Sequence, residues 1–173
     1  RILVVHGRYP RWSLYLKQRW ARKMGDIAER IEFVPPRPNA QFLDLMKLVD
    51  VILDIPTFNG GNTTFEALSV GTPVVTQPHS LMRGRVCGAI LRQAKLDVCI
   101  ADSLADYVDT AVRLVTDEAF GTSVRKTLEA NVPGLFERDE AIREWERFFT
   151  ESLAERKTAP GPNPPDLSEY RKS

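Results

Sequence analysis

The stretch with the clearest potential for chemistry is Asn59–Val75, which reads NGGNTTFEALSVGTPVV. Gly60–Gly61 has no side chains, so a bulky anion can approach its backbone closely. The amides that open the following helix, helped by the helix dipole, are suited to binding an anion such as a diphosphate. Asn62, Thr63 and Thr64 add short neutral donors at the same point. This pattern predicts a site for a phosphate-containing ligand.

Glu66 adds a second function to the same helix, one turn after its start. Its carboxylate can accept hydrogen bonds from both hydroxyls of a ribose, and its repulsion by phosphates places it at the sugar edge of a nucleotide. A structural role is the alternative, because Thr63–Glu66 (TTFE) matches a capping box that closes the helix start on itself. Gly71 would then be the usual left-handed stop.

The elements around this motif alternate between short apolar runs and amphipathic segments. Strands are predicted at Ile2–Val5, Ile31–Val34, Val51–Leu53, Val74–Thr76 and Val98–Ile100. This alternation predicts an α/β fold, a doubly wound parallel sheet of the Rossmann-like type with right-handed crossovers. Ligands of such sheets bind at the carboxyl ends of the strands, where the loop before Asn62 falls.

The helices are predicted from their caps and from apolar residues three or four positions apart. Ser13, Asn39 and Ser103 are the expected N-caps of three of them, and a helix is also expected over about 83–95. The expected apolar stripes are Trp12, Leu16, Trp20 and Met24; Phe42, Leu45, Met46 and Val49; Val86, Ile90 and Ala94; Leu104, Val108, Ala111 and Val115; Phe120, Val124 and Leu128; and Ile142, Trp145 and Phe149.

The domain organisation follows from the two ends of the chain. Residues 1–156 are predicted to form one Rossmann-like domain, ending in a helix over about 138–155. Residues 157–173 contain four prolines and few apolar residues, which predicts a disordered tail. Because the chain opens with an apolar strand, we expect it to be a fragment of a larger enzyme.

The composition bounds the kinds of partner. A formal net charge of +1, with acidic residues interleaved among the arginines, favours neither nucleic acid nor a membrane surface as the partner. No apolar run is long enough to span a bilayer. Cys87 and Cys99 lie in apolar contexts, which predicts buried, reduced thiols and a cytoplasmic location.

Neither a metal nor a cofactor is expected. Asp50 and Asp54 stand four residues apart on a strand, on one side but about 13 Å from each other. Asp54 is expected instead to position the glycine loop through its carboxylate. His6 and His79 lack the neighbours of a catalytic base or metal ligand, and the loop position of His79 allows a contact to a transferred sugar.

Several stretches resemble a known family. GGNTTFEALSVGTPVV resembles the signature of the nucleotide-binding half of GT-B glycosyltransferases. ADSLADYVDTAVRLVTD, VDVILDIPTFNGGNTT and TPVVTQPHSLMRGRV resemble the C-terminal catalytic region of the O-linked N-acetylglucosamine transferase (SPINDLY-like) family. The resemblance implies the C-terminal domain of an inverting, metal-independent enzyme that uses a UDP-sugar and a protein or glycan acceptor. It also implies tetratricopeptide repeats, an acceptor groove and a general base elsewhere in the protein.

The resemblance also implies roles for individual residues. Asn62 and Thr63 would stabilise the leaving diphosphate, and Glu66 would hold the ribose. The full set of implied donor contacts is Arg37, Pro38, Asn39, Phe42, Gly60, Gly61, Asn62, Thr63, Thr64, Glu66 and Arg85. Within this set, positions 37–39 and the ring of Phe42 would contact the uracil. The sequence departs from animal-type members of the family, which have a basic residue at Asn39 and histidines at Phe42 and Gly61.

Two other functions compete with donor binding by a transferase. A UDP-sugar 2-epimerase has a similar architecture but needs histidines in its cleft, and the two here are not suitably flanked. A non-catalytic nucleotide sensor or scaffold is the other alternative, and the intact Asn62–Glu66 element counts against it. Several candidate ligand contacts have a purely structural interpretation as well. Phe42 is also part of an apolar stripe, and Arg8, Arg83 and Arg85 are also explained as surface charges.

Overall fold

The strands of the protein form two parallel pairs. The computed structural model describes residues 1–158. In it, β1 (Ile2–Val5) pairs with β2 (Ile31–Val34), and β3 (Ile52–Leu53) pairs with β4 (Val74–Val75). These pairs confirm the first four predicted strands and the parallel α/β class, and a single parallel bridge joins Thr76 to Ile100.

The fifth predicted strand is wrong over most of its length. Asp97–Cys99 forms a 3₁₀ turn, and only Ile100 takes part in a β-bridge. The amides of Cys99 and Ile100 donate to the carbonyls of Leu96 and Asp97 at 2.9 Å. Because these local bonds use the backbone donors, no ladder forms over residues 97–99.

The described residues contain seven α-helices, which lie between the strands and after them. They are α1 (Pro10–Met24), α2 (Asn39–Lys47), α3 (Asn62–Ser69), α4 (Val86–Gln93), α5 (Leu104–Thr116), α6 (Glu118–Asn131) and α7 (Asp139–Thr158). The helix expected over 83–95 is divided into a 3₁₀ turn, Met82–Gly84, and the later α4. None of these helices is long and apolar enough to cross a membrane.

Two of the three predicted N-caps are wrong. α1 begins at Pro10, whose fixed φ suits the first turn of a helix, so Ser13 lies inside the helix. Asn39 is already helical, and Pro38 precedes it as the N-cap residue. Ser103 does cap α5, because its hydroxyl oxygen accepts a hydrogen bond from the amide of Asp106 at 3.1 Å.

The core is built by α3, β4 and α4. Leu68, Val74, Val75, Leu91 and Leu96 are almost completely buried. The predicted stripes on α4 and α6 are confirmed by burial of two residues in each. Those residues are Ile90 on α4 with Ala94 directly after it, and Val124 and Leu128 on α6. The core therefore lies directly beneath the predicted site.

The predicted stripe on α5 is wrong. Leu104, Val108 and Val115 are each more than half exposed, whereas Leu114 is buried. Tyr107 turns toward the sheet because its hydroxyl donates a hydrogen bond to the main-chain carbonyl of Asp54 at 2.9 Å. The hydrogen bond between the Tyr107 hydroxyl and the Asp54 carbonyl thus sets the orientation of α5.

The chain divides into two compact units, Arg1–Pro133 and Gly134–Ser173. Of the second unit the structure describes residues 134–158, mainly α7. The predicted stripe Ile142, Trp145 and Phe149 is exposed there, and the rings of Trp145 and Phe149 stack with centroids 5.6 Å apart. Apart from the end of α7, the predicted tail lies outside the described residues.

Candidate functional site

Asp54, the residue that follows β3, holds the glycine loop from below. It is 6% exposed, and one carboxylate oxygen accepts the amide of Gly60 at 2.8 Å. The other accepts the hydroxyl of Thr76 at 2.6 Å. With the Tyr107 bond to its carbonyl, Asp54 joins β3, β4, α5 and the loop. The prediction that Asp54 positions the glycine loop is confirmed.

Gly60 is required by close packing within the loop. A Cβ at this position would lie 2.5 Å from the hydroxyl oxygen of Thr63 and 3.0 Å from that of Thr64. Thr64 is buried, and its hydroxyl donates to the Gly60 carbonyl at 2.8 Å. Thr64 therefore holds the loop from inside, which differs from the expectation that its side chain faces the ligand.

The start of α3 carries three unused donors. Gly61 is the N-cap, with no side chain capping the helix, and its carbonyl accepts the amides of Thr64 and Phe65. Within residues 1–158, the amides of Gly61, Asn62 and Thr63 donate no hydrogen bond. Adjacent amides of this kind, at the positive end of a helix dipole, bind anions.

Glu66 does not close a capping box. Its carboxylate accepts a hydrogen bond from the side-chain amide of Asn39 at 2.9 Å, so the local alternative to a binding role is not formed. Asn39 opens α2, and this bond brings the starts of α2 and α3 together. Arg37 and Pro38 are exposed just before Asn39, and Phe42 is half-buried one turn later. The structure thus brings the residues predicted for the base next to the one predicted for the ribose.

The loop between β4 and α4 lies beside the glycine loop. The amide of Asn59 donates to the carbonyl of Arg83 at 2.7 Å, and the amide of His79 donates to that of Gly84 at 2.6 Å. A Cβ placed on Gly61 would lie 3.9 Å from a methyl group of Val86. Arg85, which immediately precedes Val86, is therefore at the same end of the sheet and is exposed.

Three supporting residues were not identified from the sequence. Thr76 and Tyr107 complete the bonds around Asp54. Asn59 is buried and donates through its side chain to the Ile55 carbonyl at 3.0 Å. Its side-chain oxygen has no hydrogen-bond partner within residues 1–158. The pairing of Asn59 with Gly60 was the available signal, since this dipeptide is typical of turns.

The buried thiols lie outside the exposed part of the site. Both cysteines are free and buried, as predicted. Burial, with a smaller effect from the Asp54 charge, raises the pKa of Cys87 to about 12. Cys87 is therefore a neutral thiol at physiological pH and a poor nucleophile.

The remaining candidates have structural partners or stand apart. His6 and Ser13 share a hydrogen bond of 2.8 Å, and the guanidinium of Arg8 lies 5.7 Å from the ring centroid of Tyr9. His79 is exposed in the loop after β4. Within residues 1–158, no group of three or more His, Cys, Asp or Glu side chains is arranged to hold a metal ion.

The parallel strands with helices between them define a Rossmann-like domain. The glycine loop of this domain leads into a helix start whose free amides are suited to an anion. The model of the family described as Glycosyl transferase family 41 matches residues 3–136. Since this match covers most of its length, the chain belongs to glycosyl transferase family 41.

Individual relatives agree with this assignment. The UDP-N-acetylglucosamine--peptide N-acetylglucosaminyltransferase of Caenorhabditis elegans is 39% identical over 71 residues, which are 41% of this chain and 6% of that protein. An Arabidopsis thaliana protein named "Probable UDP-N-acetylglucosamine--peptide N-acetylglucosaminyltransferase SEC" is 30% identical over 113 residues, 65% of this chain and 12% of the relative.

A solved structure supports the fold. A mutant of the Thermobaculum terrenum O-GlcNAc transferase aligns with a TM-score of 0.76 and 28% identity, over 86% of this chain. The similarity confirms the predicted Rossmann-like class and the resemblance to this group of glycosyltransferases. The chain spans 29% of that structure and 6% to 12% of the two sequence relatives.

Proposed function

We propose that this chain binds the UDP-sugar donor of a glycosyltransferase that transfers N-acetylglucosamine to serine or threonine of proteins. The proposal combines the family assignment with the names of its relatives, which are peptide N-acetylglucosaminyltransferases. The observation that carries it is the set of three free amides at the start of α3, one turn before Glu66. The donor is proposed to be UDP-N-acetylglucosamine.

Each part of the donor has a complementary group at this end of the sheet. The diphosphate would lie against the amides of Gly61, Asn62 and Thr63, with Arg85 balancing its charge. The ribose hydroxyls would donate to Glu66, and the uracil would lie along the start of α2, over Phe42. Asn39 now donates to Glu66, so ribose binding would replace or share that hydrogen bond.

The chemistry follows from charge development on the leaving group. An acceptor hydroxyl attacks the anomeric carbon as the bond from that carbon to the diphosphate oxygen breaks, which inverts the configuration. The hydroxyl proton passes to a general base, proposed to lie in another part of the protein. Preorganised amides at the start of α3 would stabilise the negative charge that grows on UDP, without help from a metal or cofactor.

A cytoplasmic location is proposed with this function, because the two buried, free thiols suit a reducing compartment. The protein or glycan acceptor would be bound by other parts of the enzyme. This chain by itself is proposed to bind nucleotide but to transfer little sugar.

Calorimetry tests the proposal. The chain is titrated with UDP, GDP and UDP-N-acetylglucosamine, and then the Glu66→Ala variant is titrated with the same ligands. Loss of a carboxylate that accepts two hydroxyls is expected to weaken UDP binding roughly 10- to 100-fold, since hydrogen bonds to charged groups contribute about 1.5–3 kcal/mol. Selectivity for UDP over GDP is expected in the unchanged chain.

Glu129→Ala is the matched control. Glu129 is an exposed glutamate on α6, and it lines a cavity of about 420 Å³ with Ser69 and Gly71 at the opposite end of α3. Its removal should leave UDP affinity unchanged. A folded chain that binds none of the nucleotides, or equal affinity in the Glu66→Ala variant, would contradict the proposed site.

A further inference from the structure

The basic residues of this chain are strongly concentrated near its start. Residues 1–25 contain seven of the 24 lysines and arginines and no acidic residue. The remaining 17 basic residues are outnumbered by 23 acidic ones. The expectation that acidic and basic residues interleave is therefore wrong for this segment, which includes all of α1.

The outer face of α1 carries this charge together with an aromatic ring. Arg11, Tyr15, Arg19 and Arg22 recur at the spacing of one helical face, and all four are exposed. The opposite face packs inward, where Ser13 is buried and Trp20 stacks on Phe33 with centroids 5.4 Å apart. The charged face is thus fixed in an outward position by the packing of the other side.

These arginines have no acidic partners in the described part of the chain. The ion pairs found there involve Arg1, Lys47, Arg113 and Arg138, and none involves a residue of α1. Three guanidinium groups held along one face without counter-charges raise the local positive potential. Because guanidinium groups bind carboxylates through paired hydrogen bonds, such a face is suited to an acidic peptide.

We propose that the outer face of α1 is a docking surface for a short acidic segment of a partner protein. The helix has 15 residues and a length of about 22 Å at 1.5 Å per residue. An extended segment of about seven residues has the same length. Tyr15 gives it an apolar contact between Arg11 and Arg19, and the surface shares no residue with the proposed donor site.

The same observations disfavour two other polyanions. A helix that lies on a membrane inserts one continuous apolar face. On α1 the ring of Trp20 is stacked on Phe33, and the exposed side chains of Trp12 and Leu14 lie on different sides of the helix. A nucleic acid longer than the helix would meet Asp26 and Glu29, which are exposed in the next turn. A short acidic peptide avoids both problems.

Fluorescence anisotropy with the full chain tests this surface. The probe is a labelled heptapeptide of alternating Asp and Glu, compared with its Asn and Gln counterpart. We expect the acidic peptide alone to bind, with affinity falling at least tenfold between 0.05 M and 0.5 M salt because exposed charges are screened. The triple variant Arg11→Glu, Arg19→Glu, Arg22→Glu should lower affinity at least tenfold.

The control is Arg92→Glu, Lys126→Glu, Arg147→Glu, which makes the same change in net charge at exposed positions of other helices. It should change affinity less than threefold. A triple Arg→Gln variant of α1 serves if the charge reversal disturbs folding, which circular dichroism reports. UDP binding is measured on each variant and should not change, so failure of this surface is separable from failure of the donor site.

Three results would overturn the proposal. The first is equal peptide affinity in the α1 variants and the control. The second is equal binding of the acidic peptide and its amide counterpart. The third is tighter binding to phosphatidylserine vesicles or to a seven-nucleotide adenosine oligomer than to the acidic peptide.

Discussion

Removal of the Asp54 carboxylate is the most direct test of how the glycine loop is held. This side chain is buried, and it accepts the amide of Gly60 at 2.8 Å and the hydroxyl of Thr76 at 2.6 Å. In Asp54→Ala both donors lose their partner in a largely buried site. In Asp54→Asn one oxygen remains as an acceptor, and the hydroxyl of Thr76 can rotate to accept the new amide.

The magnitude follows from the number of donors left unpaired. Each buried donor without an acceptor costs about 1–3 kcal/mol, so Asp54→Ala should lower the free energy of unfolding by about 2–6 kcal/mol. Asp54→Asn should lower it by about 1–2 kcal/mol, since the bonds persist without the charge. Domains are stable by only about 5–15 kcal/mol, so the alanine variant approaches the limit of folding.

Urea unfolding followed by circular dichroism measures both variants. Asp44→Ala is the control, because Asp44 is exposed and its ion pair with Lys47, at 3.3 Å, should contribute less than about 1 kcal/mol. The folded Asp54→Asn variant should also bind UDP more weakly than the unchanged chain, since the loop loses its fixed support. Equal destabilisation by Asp54→Ala and Asp44→Ala would refute this account of the loop.

Two further changes test the packing and the buried thiols. Gly84→Ala places a Cβ 2.5 Å from that of His79 and 2.9 Å from the Pro56 carbonyl, so it should destabilise the fold by about 1–3 kcal/mol in urea unfolding. Gly134→Ala, where a Cβ meets nothing within 4 Å, should have little effect, and equal costs would contradict the packing described. Burial raises the pKa of Cys87 and Cys99 from 9.0 to about 12, so the unfolded chain loses these protons first as the pH rises. The contribution of the two thiols to stability should therefore be constant below about pH 8 and fall between pH 9 and pH 12 by up to about 1.4 kcal/mol per pH unit for each thiol. Cys99→Ala should reduce the slope, and an unchanged slope would show that other groups control it.

Local patterns predicted the parts of the fold that depend on neighbouring residues. The apolar runs located four strands, and Ser103 marked the start of α5 because its cap is formed three residues away. The prediction of the fifth strand was wrong because local backbone bonds of another kind form there. The amide of Cys99 and the carbonyl of Asp97 are used in 3₁₀ bonds, which a short apolar run does not reveal.

Contacts between distant residues decided the rest. The sequence TTFE allowed a capping box, but Glu66 instead accepts from Asn39, which lies 27 positions earlier. The sequence predicted an apolar stripe on α5 that is exposed in the structure, because the hydroxyl of Tyr107 turns the helix through its bond to Asp54, 53 positions away. Propensity alone cannot rank such alternatives, because the deciding partner belongs to another element.

The separation of the strands into two pairs has a mechanical consequence. No ladder joins the β1–β2 pair to the β3–β4 pair within residues 1–158, and the bond between Asn39 and Glu66 is a polar link across that division. A ligand bound to the N-terminal ends of both α2 and α3 would connect the two strand pairs. Binding there would restrict the motion of the two strand pairs relative to each other.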